Sequence, residues 1–143
     1  MKSYEVTSLI EASPSAVWAI LTNAASYPTW DSGVERVDGQ IESGSKISVF
    51  SKVSPGRAFP VQVTELRPAE RMVWAGGMPL GLFKGEWTFT LSSEGGRTRF
   101  TMREEFSGPL LSLIWRSMPD LGPSFQQFAN GLKEQAEAAA AHA

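Results

Sequence analysis

The stretch Phe125-Gln126-Gln127-Phe128-Ala129-Asn130-Gly131-Leu132-Lys133-Glu134-Gln135-Ala136 decides the fold. Phe125, Phe128, Ala129, Leu132 and Ala136 recur at i, i+3, i+4, i+7 and i+11, the apolar stripe of an amphipathic helix, and Glu134 and Glu137 read as its solvated face. A stripe of this kind needs a surface to bury against. Directly upstream, the apolar run Leu110-Leu111-Ser112-Leu113-Ile114-Trp115 reads as the first turns of the same core helix, with an apolar gate as the alternative. Pro119 and Pro123 are expected to kink or interrupt the intervening chain, because proline lacks the helical N–H and clashes with the turn before it.

Further out the period falls from the helical value to two. Short β segments are predicted at about 34–38, 45–53, 58–66, 71–75, 85–93 and 97–106, separated by turn-forming stretches at 39–44, 54–56, 67–70, 76–79 and 94–96 that are rich in glycine and proline. An earlier strand is expected over 3–11, where Tyr4, Val6, Ser8 and Ile10 alternate with the other face. Ser13-Pro14 then supplies an N-cap and a proline at the first helical position, so a short helix follows, with Val17, Ile20 and Leu21 at helical spacing. Residues 23–31 suit a brief second helix or turn. The order strand, two short helices, six strands and long helix is α+β. Its simplest arrangement lays the C-terminal helix across one face of a curved antiparallel sheet of about seven strands.

Composition narrows the chemistry. The 143 residues suit one domain, expected to span 1–143, whose core needs neither disulfide nor structural metal. The formal net charge is -2 and no basic stripe is present, which argues against a nucleic-acid partner. Cysteine is absent and the only histidine is His142, so thiol catalysis, Cys/His zinc sites and Ser-His-Asp triads are excluded. No run is long and apolar enough to span a membrane, and the first residues lack the apolar core of a signal peptide, so a cytoplasmic location is expected.

Four strings carry a resemblance to a known family: residues 10–18 (IEASPSAVW), 27–31 (YPTWD), 61–68 (VQVTELRP) and 125–138, with its Gly-Leu-Lys-x-x-Ala-Glu string at 131–137. Together they resemble the START/birch-pollen-allergen (SRPBCC) superfamily, and most closely its polyketide cyclase/dehydrase and lipid-transport branch. The resemblance covers essentially the whole chain, and its motifs are structural. It implies a helix-grip fold with a deep apolar cavity that binds lipids, hormones or aromatic polyketides, in a family where some members are cyclases or hydrolases. Fold by itself does not choose among these.

Five Trp, two Tyr and eight Phe supply material for such a lining, though most are expected to be core. On the strands the expected ligand contacts are Phe59, Trp74, Trp87, Phe89 and Met102; from loops and helices come Trp30, Met78, Phe83, Met118 and Phe125. Trp74, Phe83 and Trp87 stand out because nearby glycines leave space. Glu104 is the sharpest residue, since alternation places it on the face of Phe100, Met102 and Phe106. It reads either as a polar anchor or general acid, or, more simply, as a strand-end carboxylate at the mouth, hydrogen-bonded or wet. Glu104 and Glu105 face opposite ways and cannot act as a carboxylate pair. Asp31 reads as a turn cap or an entrance residue. Residues 76–83 lack the phosphate-loop pattern and suit a mobile apolar loop over a cavity mouth.

Three functions follow in order. The first is non-catalytic binding of a small, mostly hydrophobic molecule, without cofactor or metal. The second is a cyclase-like or hydrolase-like enzyme in which Glu104, with Arg71 or Tyr27, handles protons. The third is a protein-interaction module docking through residues 76–83.

Overall fold

Ser13 and Pro14 divide strand from helix in the computed structural model, which describes residues 2–52, 56, 58–77, 79–116 and 122–141. Strand β1 (Lys2–Ile10) precedes them, and helix α1 (Pro14–Leu21) follows, its start capped by Ser13 Oγ, which accepts from the Ala16 N–H at 3.2 Å. Pro14 occupies the first helical position, where its missing N–H leaves no bond unmade. A 3-10 turn (Ala24–Thr29) comes next. Its Tyr27 is fully buried and donates its O–H to the Leu21 carbonyl, so the turn is fastened to the end of α1.

Strands β2 (Val34–Asp38), β3 (Lys46–Ser51), β4 (Ala58–Arg67), β5 (Arg71–Gly77), β6 (Lys84–Glu94) and β7 (Arg97–Ser107) form an antiparallel meander. β1 returns beside β7, which gives a seven-stranded sheet in the order β1-β7-β6-β5-β4-β3-β2. Register shifts fall between Val34 and Arg36 and between Val63 and Glu65. A bulge bends its strand and raises the local twist, so both shifts help curl the sheet. The second also changes which side chains face inward: Val61 and Val63 are buried, and beyond the shift Leu66 joins the core opposite Met72.

Helices α2 (Leu111–Trp115) and α3 (Gly122–Ala141) complete the described chain. The run 110–115 therefore forms a helix of its own and not the first turns of α3, and its Leu113 is 67% exposed. Pro119 lies outside the described residues. Pro123 does not kink α3, because it sits in the first turn, where proline is tolerated. The stripe predicted from the sequence is buried: Phe125, Phe128, Ala129, Leu132 and Ala136 all point into the core, with α3 lying mainly against β1 and α1.

Two features seat α3 in the sheet. A Cβ added at Gly131 would stand 2.0 Å from the Asp31 carbonyl oxygen, so only glycine lets the 30–31 backbone rest on the helix, and Gln127 Nε2 donates to Asp31 Oδ1 at 2.7 Å beside it. Near the other end, Lys133 Nζ donates to the Leu9 carbonyl at 2.9 Å, and Glu137 accepts from both Lys133 and the Glu11 N–H. Glu137 is thus a tether to β1 and not part of a solvated face; the Glu11 N–H, then Lys133, hold its carboxyl below the usual range. Glu134 is exposed, as expected. Among the described residues no helix is long and apolar enough to cross a membrane.

Candidate functional site

Alternation along β6 and β7 sorts side chains cleanly. Gly85, Phe89 and Leu91 on β6 and Thr98, Phe100, Met102, Glu104 and Phe106 on β7 are buried, while Arg97, Arg99, Arg103 and Glu105 lie on the outer face. Register then carries this pattern across the sheet. Val63 stands opposite Trp74, Trp74 opposite Trp87, Trp87 opposite Glu104, and Glu104 opposite Tyr4. One row of side chains thus crosses β4, β5, β6, β7 and β1, with a single carboxyl among aromatic rings. The neighbouring row contains Gly76 opposite Gly85 and Gly85 opposite Phe106. Two adjacent positions there lack side chains, and the Trp87 ring leans into the gap: its Cη2 is 3.2 Å from where a Gly85 Cβ would stand.

Two aromatic chains border this row. The first links Trp30 to Phe128 (5.3 Å between ring centroids), Phe128 to Phe89 (6.1 Å) and Phe89 to Trp74 (4.8 Å). The second links Phe125 to Tyr4 (5.5 Å), Tyr4 to Phe106 (6.3 Å) and Phe106 to Phe83 (5.8 Å, stacked). Edge-to-face and offset geometries of this kind add to burial energy and fix the rings. The chains gather Trp30, Trp74, Phe83, Phe89 and Phe125 around the concave face, with Trp87, Met102 and Glu104 between them. Phe59 lies apart: it is 38% exposed near one end of the sheet. Met78 and Met118 lie outside the described residues.

Glu104 is 0% exposed, and neither carboxyl oxygen has a hydrogen-bond partner among the described residues. It lies in the interior and not at a solvent-exposed mouth. Desolvation pushes its pKa up to about 9, so the group is a neutral acid at neutral pH. Two other buried polar atoms share this condition, Trp74 Nε1 and Trp30 Nε1. Buried donors and acceptors are nearly always bonded in folded proteins, so three such groups facing one core call for an explanation. The proton-handling partners considered from sequence are engaged elsewhere. Tyr27 donates to Leu21, and burial pushes its pKa up; Arg71 is exposed, 3.4 Å from Glu65. Asp31 accepts from Gln127 of α3. No group of three or more potential metal ligands occurs among the described residues.

A depression of about 250 Å³ opens where β5 meets β6, lined by Ala75, Gly76, Gly77, Gly81, Phe83 and Lys84. Phe83 forms part of its wall and stacks on Phe106, two residues from Glu104 on the same face of β7. The adjoining turn is held by the 108–111 segment: the Leu110 N–H donates to the Leu82 carbonyl at 2.9 Å. Leu80 at the tip is 97% exposed with φ +63°, whereas Leu82 and Phe83 are half-buried.

Sequence reasoning passed over Tyr4, Phe106 and Phe128 as site residues. The alternation of β1 placed Tyr4 inward, but only the β1–β7 register puts it opposite Glu104.

The family model for polyketide cyclase/dehydrase and lipid transport matches residues 1–137. Solved structures with similar folds include the ZhuI aromatase/cyclase from Streptomyces sp. R1128, 14% identical with a TM-score of 0.72 over 97% of this chain and 95% of that one. A START superfamily protein from Mycobacterium smegmatis is 15% identical, with a TM-score of 0.71 over 96% of this chain and 98% of its own. The protein TTHA0849 from Thermus thermophilus is 18% identical, with a TM-score of 0.72 over 96% of this chain and 99% of its own. At these identities the likeness establishes the fold: a curled sheet gripping a C-terminal helix. No curated protein matches the sequence.

Proposed function

We propose that this chain, which belongs to the polyketide cyclase/dehydrase and lipid-transport family, acts as one ligand-binding domain that holds a small, mostly hydrophobic molecule between its sheet and α3. The observation that carries this reading is the row Trp74, Trp87, Glu104, Tyr4. It is an aromatic surface in which Trp74 Nε1 and both Glu104 carboxyl oxygens are buried with no hydrogen-bond partner among the described residues. Apolar sites with a few convergent polar groups are the usual form of a small-molecule site. The depression walled by Phe83, whose ring stacks on Phe106, is the entrance assigned to this site, with the Phe83 ring as the part that moves aside.

Binding without chemistry is favoured over catalysis because the proton-handling partners weighed for Glu104 are committed elsewhere: Tyr27 donates to Leu21 and Arg71 pairs with Glu65. Docking of a protein through residues 76–83 is also disfavoured. Among the described side chains of this segment Leu80 is the one fully exposed apolar residue, and its neighbours Leu82 and Phe83 are half-buried.

The test is a titration of folded protein with isopropylnaphthalene, acetylnaphthalene and naphthylmethylamine, read by tryptophan emission. Saturation by at least one probe, at one per chain with micromolar affinity, is expected, and Phe83→Ala should speed association. Absence of saturable binding by all three would overturn the reading.

A further inference from the structure

We infer that Glu104 is the hydrogen-bond donor that selects the ligand, and that the ligand is a neutral, largely apolar molecule bearing an acceptor oxygen (ketone, ester or hydroxyl), with the Trp74 N–H as a second donor to it. This rests on the binding reading above and names the chemistry it leaves open.

Glu104 and Trp74 lie on the same cross-sheet row, two strands apart, with Trp87 between them. Adjacent strands are about 4.8 Å apart, so the two backbones are separated by about 10 Å, a span that an aromatic-sized molecule bridges once the intervening Trp87 ring moves aside. Both side chains are on the inward face, and both carry polar atoms with no partner among the described residues. A carboxyl with no cation beside it keeps its proton in such surroundings, since charging it would need solvation that Trp87, Met102 and Phe106 do not provide. It therefore offers an O–H, and the indole offers an N–H. Two donors on an apolar surface match oxygen acceptors; they do not match a hydrocarbon, which leaves both donors unpaired.

A cationic ligand is the alternative that the aromatic rings would suggest, through cation–π attraction. It is disfavoured because the ammonium and the carboxylate formed beside it would both leave water for a site whose aromatic lining offers few hydrogen bonds to either.

The experiment compares three probes of one shape, acetylnaphthalene, isopropylnaphthalene and naphthylmethylamine, on wild type, Glu104→Leu and Glu104→Gln. Tryptophan emission reports binding, and circular dichroism checks the fold. Glu104→Leu should weaken acetylnaphthalene at least tenfold while leaving isopropylnaphthalene unchanged or tighter. Glu104→Gln, which retains an N–H donor, should keep acetylnaphthalene within about threefold of wild type. The amine should bind wild type more weakly than the ketone. Equal loss of ketone and hydrocarbon in Glu104→Leu, or tighter binding of the amine, overturns the inference while leaving the binding reading intact. Failure of all three probes on wild type overturns both.

Discussion

Glu104 and Glu105 are adjacent on β7 and occupy opposite electrostatic worlds: Glu105 accepts from Arg103 Nε at 2.7 Å on the outer face, while Glu104 is fully buried with both oxygens unpartnered among the described residues. The pleat is the cause, since successive side chains on a strand point to opposite faces. Arg103 also reaches Glu5 on β1 at 3.0 Å, so the outer face is a mixed ion-pair lattice, and the inner face is aromatic with one acid. The same residue type is a surface ion-pair partner at one position and a candidate recognition group at the next.

The raised pKa of Glu104 makes stability depend on pH. Between about 4.5 in the unfolded chain and about 9 in the folded one, the native state holds a proton that the unfolded state has lost. Stability is therefore full below the lower value and falls as pH rises through this window. Chemical denaturation should show a loss of up to about 3 kcal/mol from pH 5 to pH 7. In Glu104→Gln this decline should flatten and stability at pH 7 should rise. Parallel curves for the two proteins would show that Glu104 is not desolvated in the native state.

Phe128 meets Tyr27, Trp30, Phe89 and Phe100, which makes it the hub of the first aromatic chain. Phe128→Ala should cost about 3–5 kcal/mol, as expected for a large buried ring. Phe59→Ala should cost less than about 1.5 kcal/mol, because its ring is already partly in water. Urea midpoints with unchanged slopes would measure both; equal losses would contradict the packing described.

Gly131 is predicted to be intolerant of any side chain. Gly131→Ala would raise intrinsic helix propensity by about 1 kcal/mol, yet the new methyl group collides with the Asp31 backbone carbonyl. The collision should win, with a net loss of about 1–3 kcal/mol from overpacking. A stabilised variant in thermal unfolding would mean that the 30–31 loop does not rest on α3.

Tyr27→Phe removes the hydroxyl that the Leu21 carbonyl accepts while keeping the ring that touches Trp30 and Phe128. Leaving that carbonyl without its donor should cost about 1–3 kcal/mol. If the variant proves as stable as wild type, water or another donor reaches Leu21.

The sequence by itself determined the elements and their faces. Period-two alternation in residues 85–106 assigned Trp87, Phe89, Met102 and Glu104 to one side, and the helical stripe from Phe125 to Ala136 identified the buried face of α3, because both signals are local and repeat along the chain. Ser13-Pro14 marked a helix start for the same reason: a cap and its proline act within one turn. The tertiary structure decided which faces meet. Glu104 lies opposite both Trp87 and Tyr4 only because β1 returns to β7 across much of the chain, a pairing that no local pattern encodes. Whether Glu104 is buried or exposed depended on what closed over it, which is a property of packed layers and not of a strand. Glu137 and Asp31 make the same point. Each is a polar residue at an exposed-looking position, and each became a fastening of α3 once the helix lay beside the Glu11 backbone and Gln127 met the 30–31 loop.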